Sequence, residues 1–220
     1  MSESAAPQPS FRLIPSRFPP VPLFDTVATA GDLAAIMELV GWTNDRLVRE
    51  RMLRLPQADW AYGRANSSVV MAAFLHAAPS GGRFNGPDLG AWYAGGAIAT
   101  AIAEVGHHLR REAVARGVAG MRRTFRCYSA RLAGLYRDIR GTAPELHDPR
   151  SHLAGQAFGE AQRAEGADGI VYDSVRHRGG TAVCAYRPRK IEDVVQAAHY
   201  EISVEAAAQR IEARTLTAET

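Results

Sequence analysis

Residues 97–116 constrain the fold more than any other stretch of the chain. Ile98, Ile102, Val105 and Leu109 recur at helical spacing there, so the segment reads as a long helix with a single apolar stripe. The pattern around it changes to that of strands. Residues 121–129 alternate, with Phe125 and Cys127 on one face. Residues 169–175 and 181–187 are two strand-like runs, and Gly179-Gly180 between them signals a hairpin. Residues 11–14 and 91–94 read as short strands, the first ended by Pro15.

Other segments read as helices or loops. Asp32 can cap a helix carrying Leu33, Ile36, Met37 and Val40, and a second helix starts near Asn44 and runs through Leu47 and Val48 towards Met52. Residues 67–76 read as a helix, and residues 79–90, rich in glycine and proline, as a loop. Ser151 can cap a helix whose buried side would hold Leu153, Phe158 and Ala161. Prolines 19, 20 and 22 demand an extended run. Strands and helices do not alternate regularly, which argues against a Rossmann sheet and for an α+β fold with a mostly antiparallel sheet and flanking helices.

The expected organisation is a flexible tail over residues 1–10, a catalytic domain over 11–188 with a helical insertion at 32–56, and a mostly helical extension over 189–220. The N-terminus lacks the charged start and apolar core of a signal peptide. The apolar stretch 90–105 is interrupted by Thr100 and Glu104 and is too short to span a membrane, so a cytoplasmic protein is expected.

Composition and motifs remove several function classes. Of the 26 lysines and arginines only Lys190 is a lysine, and guanidinium groups suit phosphate oxygens. No basic run or aromatic–basic alternation supports a nucleic-acid groove. Cys127 and Cys184 lie far apart with no C-x-x-C, which disfavours a disulfide scaffold or a cysteine zinc site; both read as small buried hydrophobes. No phosphate-binding G-x-x-x-x-G-K-[ST], dinucleotide G-x-G-x-x-G after a strand, H-E-x-x-H or G-x-S-x-G is present. His107 and His108 are helix neighbours whose side chains diverge by about 100°, so they read as solvated helix surface and not as a shared metal site. No metal is implied.

Three segments carry chemistry. Gly82-Arg83-Phe84-Asn85 sets an arginine in a glycine loop, where the backbone can approach a ligand and the guanidinium can fork onto phosphate. Trp92-Tyr93-Ala94-Gly95 leads into the long helix, and Tyr93 offers a face for a flat cationic ring. On that helix Glu104 sits off the apolar stripe, with the small residues Ala97, Thr100 and Ala101 before it. The third segment, residues 168–177, ends an apolar strand in Ser174, Arg176 and His177.

Arg83 in Gly-Gly-Arg-Phe-Asn, Tyr93 in Trp-Tyr-Ala, Glu104 in Ala-Ile-Ala-Glu-Val and Ser174 in Gly-Ile-Val-Tyr-Asp-Ser-Val-Arg-His together resemble the RES-domain family. The family is named for its arginine, glutamate and serine, and the order and the ten- and 21-residue spacings from Arg83 match. The resemblance covers residues 11–188. It implies an ADP-ribosyltransferase-like fold and the toxin of a toxin–antitoxin pair. Such a toxin consumes NAD by phosphorolysis or hydrolysis, or in some cases ADP-ribosylates a protein. Many family toxins are shorter, and the stretch 32–56 looks like an insertion against them.

The roles that follow place Arg83 on the pyrophosphate, Tyr93 on nicotinamide, Glu104 on the ribose as a stabiliser of positive charge, and Ser174 on the ribose or carboxamide. Asn85 adds to the NAD-binding set, and Arg176 and His177 would hold an incoming phosphate. NAD enters as substrate, with no prosthetic group. The expected partners are NAD, inorganic phosphate and a helix-turn-helix antitoxin of the Xre type that covers the active site. A homo-oligomer stays open, and no direct contact with nucleic acid or membrane is expected. Two alternatives remain at this point: a protein ADP-ribosyltransferase using the same site, and a non-catalytic nucleotide-binding module.

Overall fold

Period-two alternation along five central strands sorts the apolar side chains onto two faces of one sheet. The computed structural model describes residues 2–18, 23–27, 32 and 46–216. Its strands are β1 (Ser2–Ser4), β2 (Ser10–Pro15), β3 (Trp92–Gly95), β4 (Gly120–Leu132), β5 (Tyr136–Asp138), β6 (Gly169–Asp173), β7 (Thr181–Ala185), β8 (Ile191–Glu205) and β9 (Ile211–Leu216). The helices are α1 (Arg46–Arg54), α2 (Ser67–Leu75), α3 (Ile98–Ala115) and α4 (Leu153–Ala164). The strands form a single sheet in the order β1-β5-β6-β7-β3-β2-β4-β8-β9. Every neighbour pair is antiparallel except β5 and β6. The fold is therefore α+β with a mostly antiparallel sheet.

Trp92 and Ala94 of β3, Tyr128 and Ala130 of β4, Val171 of β6 and Val183 of β7 face one way, onto α1 and α2 through Met52, Met71 and Phe74. Their strand neighbours face the other way and split into two cores. Phe84, Ile170, Tyr172, Ala182 and Cys184 form one. Leu13, Phe125, Cys127 and Ile202 form the other, under Ala101 and Leu109 of α3. The seam between these two cores, on a single face of the sheet, is where a cleft opens. β2 and β3 pair at only one position, Phe11 with Gly95, so the sheet is least tightly knit beneath that seam. Both cysteines are free and buried.

The chain ends differ from the sequence reading. Residues 2–4 are not a loose tail: they pair with β5. Nearby, Gln8 Nε2 donates to the Leu132 carbonyl at 2.8 Å and Ser10 Oγ to the Ala130 carbonyl at 3.0 Å. The segment expected to be a helical extension is instead two strands, β8 and β9. Two register shifts against β4, between Arg126 and Tyr128 and between Ser129 and Arg131, each insert an extra residue into β8. Such bulges break the alternation by which a strand is recognised, and the alanines of this segment then mimic a helix.

The expected burial on α4 is also corrected. Leu153 is 77 % exposed, Ala161 is exposed, and the buried positions are Gly155, Gly159 and Gln162. The helix after Asp32, the run 19–22 and the start near Asn44 lie outside the described residues. Among the described residues, no helix is long and apolar enough to cross a membrane.

Candidate active site

The glycine loop is shaped around Tyr93. Gly81 has φ +69° and Gly82 N–H donates to the Asn85 carbonyl at 2.9 Å, closing a tight turn. A Cβ on Gly82 would stand 2.5 Å from Asn85 Oδ1 and 2.6 Å from Tyr93 Oη, so only glycine lets these two groups meet. They do meet: Tyr93 Oη donates to Asn85 Oδ1 at 2.7 Å and accepts from Phe84 N–H at 2.8 Å. Asn85 Nδ2 donates to the carbonyls of Gly86 and Leu89. The Asn85 carboxamide, 2 % exposed, is thus fully engaged inside the loop. It orients the phenol and is not presented to a ligand, which corrects the ligand-contact role expected of it. Burial raises the Tyr93 phenol well above its ordinary pKa, so it stays protonated and its bond to Asn85 is kept.

α4 presses on this loop through its glycines. A Cβ on Gly155 would lie 2.5 Å from the Arg83 carbonyl oxygen and one on Gly159 2.1 Å from that of Phe84. Gln156 Nε2 donates to the Ser80 and Gly82 carbonyls at 2.8 and 2.9 Å. Arg83 is 8 % exposed, and its Nη1 donates to the Leu146 and Asp148 carbonyls at 3.2 and 2.8 Å. One nitrogen of the fork therefore anchors the segment ahead of α4, and the remaining donors are left for the cleft that Arg83 lines.

Glu104 comes from α3 and Ser174 from the turn after β6. Ser174 Oγ accepts from Arg176 N–H at 3.2 Å and from His177 N–H at 3.1 Å. With two donors on its lone pairs, its single proton is directed away from them, and it goes to Glu104 Oε1 at 2.7 Å. The same turn is pinned to the first turn of α3, where Thr100 Oγ1 and His177 Nδ1 lie 2.9 Å apart. A Cβ on Gly180 would strike both. His177 thus braces the serine turn against the helix. Arg176 reaches the other wall, its Nη2 donating to the Pro149 carbonyl at 2.7 Å.

Arg83, Tyr93, Glu104 and Arg176 line one cleft of about 870 Å³, a volume within the range of small-molecule and cofactor sites. Ser174 joins them through Glu104. Phe11, Leu13, Ala101 and Val105 give it an apolar wall. Arg12, Arg111, Arg150, His107, His108 and His152 also line it. Glu104 is the one carboxylate among the described lining residues. Desolvation first, then neighbouring cations including Arg176 and Arg111, push His107 and His108 down to about 4. The His152 imidazole is lowered by the same combination. Of the two α3 histidines, read from sequence as solvated surface, His107 is half-buried and His108 exposed, and both line the cleft.

Sequence reasoning missed Arg111, His152 and the α4 glycines. For Arg111 a signal exists, because it lies two helical turns beyond Glu104 on the same face of the helix. For the glycines none does, because their role is to be small.

The RES domain family model matches residues 51–205, a span that holds every residue of this arrangement except the β2 contributions and ends with β8. An uncharacterized protein of Sinorhizobium fredii (strain NBRC 101917 / NGR234), y4oC, is 26 % identical over 209 residues, which cover 91 % of this chain and 84 % of that protein.

Proposed function

The chain belongs to the RES-domain family, and from that premise we propose that it is an NAD-consuming enzyme that cleaves the bond between nicotinamide and ribose. One observation carries the reading: a carboxylate, oriented by a serine hydroxyl at 2.7 Å, stands in a cleft whose other charged lining residues are all arginines. That charge distribution suits a ligand with several phosphate charges and one centre that becomes positive during reaction.

The chemistry follows from the substrate. When the C1′–N bond breaks, its electron pair goes to the ring nitrogen and neutralises the pyridinium, so nicotinamide departs without a general acid. Positive charge develops on the ribose, as in glycoside cleavage. Glu104 stabilises it from a fixed position, and a charge already held in place costs no reorganisation at the moment of bond breaking. Ser174 keeps the carboxylate aimed. Tyr93, its hydroxyl held by Asn85, orients nicotinamide, while Arg83 and Arg176 hold phosphate. An oxygen of inorganic phosphate or of water then bonds to C1′. The ADP-ribosyltransferase-like architecture belongs to the same reading, as do the toxin role and an Xre-type antitoxin partner; these rest on the family resemblance.

The test is mass spectrometry of products after the purified protein is mixed with NAD, with and without inorganic phosphate. Free nicotinamide is expected with phosphate present; release that stops without phosphate, with ADP-ribose 1″-phosphate as the product, assigns phosphate as acceptor, and release with ADP-ribose in both conditions assigns water. ADP-ribose attached to protein would move the assignment to protein ADP-ribosylation. Binding of NAD without any nicotinamide release would overturn the enzymatic reading.

A further inference from the structure

α3 contributes more to the cleft than Glu104. Ala101, Glu104, His108 and Arg111 return to one face at intervals of three and four residues, and all four line the cavity. Arg111 thus shares with Glu104, two turns before it, the helix face that lines the cleft. His152 and Arg176 line the same cleft from other elements, the latter with Nη2 on the Pro149 carbonyl.

Two other cations at this end each give one nitrogen to the backbone. Arg83 Nη1 holds the Leu146 and Asp148 carbonyls, and Arg176 Nη2 holds the Pro149 carbonyl. Arg111 makes no ion pair or hydrogen bond among the described residues. Arg111 is exposed at the edge of this arginine-rich cleft, open to an anion, and phosphate oxygens match the geometry of a guanidinium.

We propose that Arg111, with His152 and Arg176, forms a phosphate subsite next to the Glu104–Ser174 pair. The proposal deepens the reading above and rests on it only for which phosphate compound is bound. The shared chemistry is a phosphate group, supplied either by the diphosphate of the dinucleotide or by free inorganic phosphate. Arg111 would share the phosphate charge with Arg83 and Arg176, which also anchor the backbone at the cleft's lip.

Titration calorimetry of the full chain with ADP, and separately with inorganic phosphate, tests it. Arg111→Gln is expected to weaken at least one of the two ligands about tenfold or more, since a charge-assisted contact is lost. Arg111→Lys should fall between, because it keeps the charge without the fork. Arg116→Ala, one turn further along and paired with Glu112, should bind as the native chain does. Loss of ADP alone assigns the subsite to the diphosphate, and loss of phosphate alone assigns it to a free phosphate. Native-like binding of both ligands by Arg111→Gln, or no binding of either by the native chain, overturns the proposal. A native chain that leaves NAD intact yet binds ADP through Arg111 would refute the proposed reaction and leave the subsite standing.

Discussion

Glu104→Gln is expected to slow nicotinamide release by about 10²- to 10³-fold, the usual effect of removing one electrostatic contact made to a transition state. The substitution preserves shape. The amide oxygen can still accept the Ser174 proton that now goes to Oε1 at 2.7 Å, and the serine keeps its two backbone donors. What disappears is the negative charge. Steady-state nicotinamide release, read alongside circular dichroism to confirm an intact fold, measures this directly. A folded Glu104→Gln protein that turns over NAD at the native rate would remove the carboxylate from the mechanism.

Gly159→Ala should destabilise the protein by about 2–3 kcal/mol, the upper part of the range for overpacking a tight interior contact. It should also lower activity beyond the fraction unfolded. The added methyl would stand 2.1 Å from the Phe84 carbonyl oxygen and 2.7 Å from Tyr186 Oη. Those two atoms are themselves hydrogen bonded, Tyr186 Oη donating to the Phe84 carbonyl at 2.9 Å. Neither can retreat cheaply, so α4 must lift from the loop that carries Arg83. Gly86→Ala is the comparison: its nearest neighbour would be a flexible Glu160 oxygen at 3.8 Å, and its effect should stay within about 0.5 kcal/mol. Equilibrium urea unfolding of the two proteins decides the matter, and equal midpoints would show that α4 does not depend on close approach at Gly159.

These two sites differ in how visible they are in the sequence, for a physical reason. Hydrophobic periodicity reports where large side chains are buried. It found α3 nearly to the residue, placed Phe125 and Cys127 on one face, and paired β6 with β7 around Gly179-Gly180. It failed on α4, whose buried face is glycine because the neighbouring layer is the backbone of residues 83 and 84. It failed again on β8, where two bulges shift the phase between Val194 and Ile202, and on β1, which is too short to show a period. The chemically unusual residues Arg83, Tyr93, Glu104 and Ser174 could be singled out because each stands in a distinctive local context. Asn85 and His177 were equally conspicuous, yet their partners, Tyr93 and Thr100, show them bracing the site from within. Arg111 and His152 were passed over because an arginine or histidine on a helix or loop looks the same in sequence whether it faces solvent or a cleft.

One dinucleotide is expected to occupy the seam between the two cores on the α3–α4 face of the sheet. The most direct measurement is a crystal structure of the Glu104→Gln protein soaked with NAD, in which slow turnover preserves the substrate. The expected result is NAD in the cleft, nicotinamide against Tyr93, its ribose at residue 104 and its phosphates beside Arg83 and Arg111. NAD bound elsewhere, or a cleft that stays empty at saturating NAD, would contradict it.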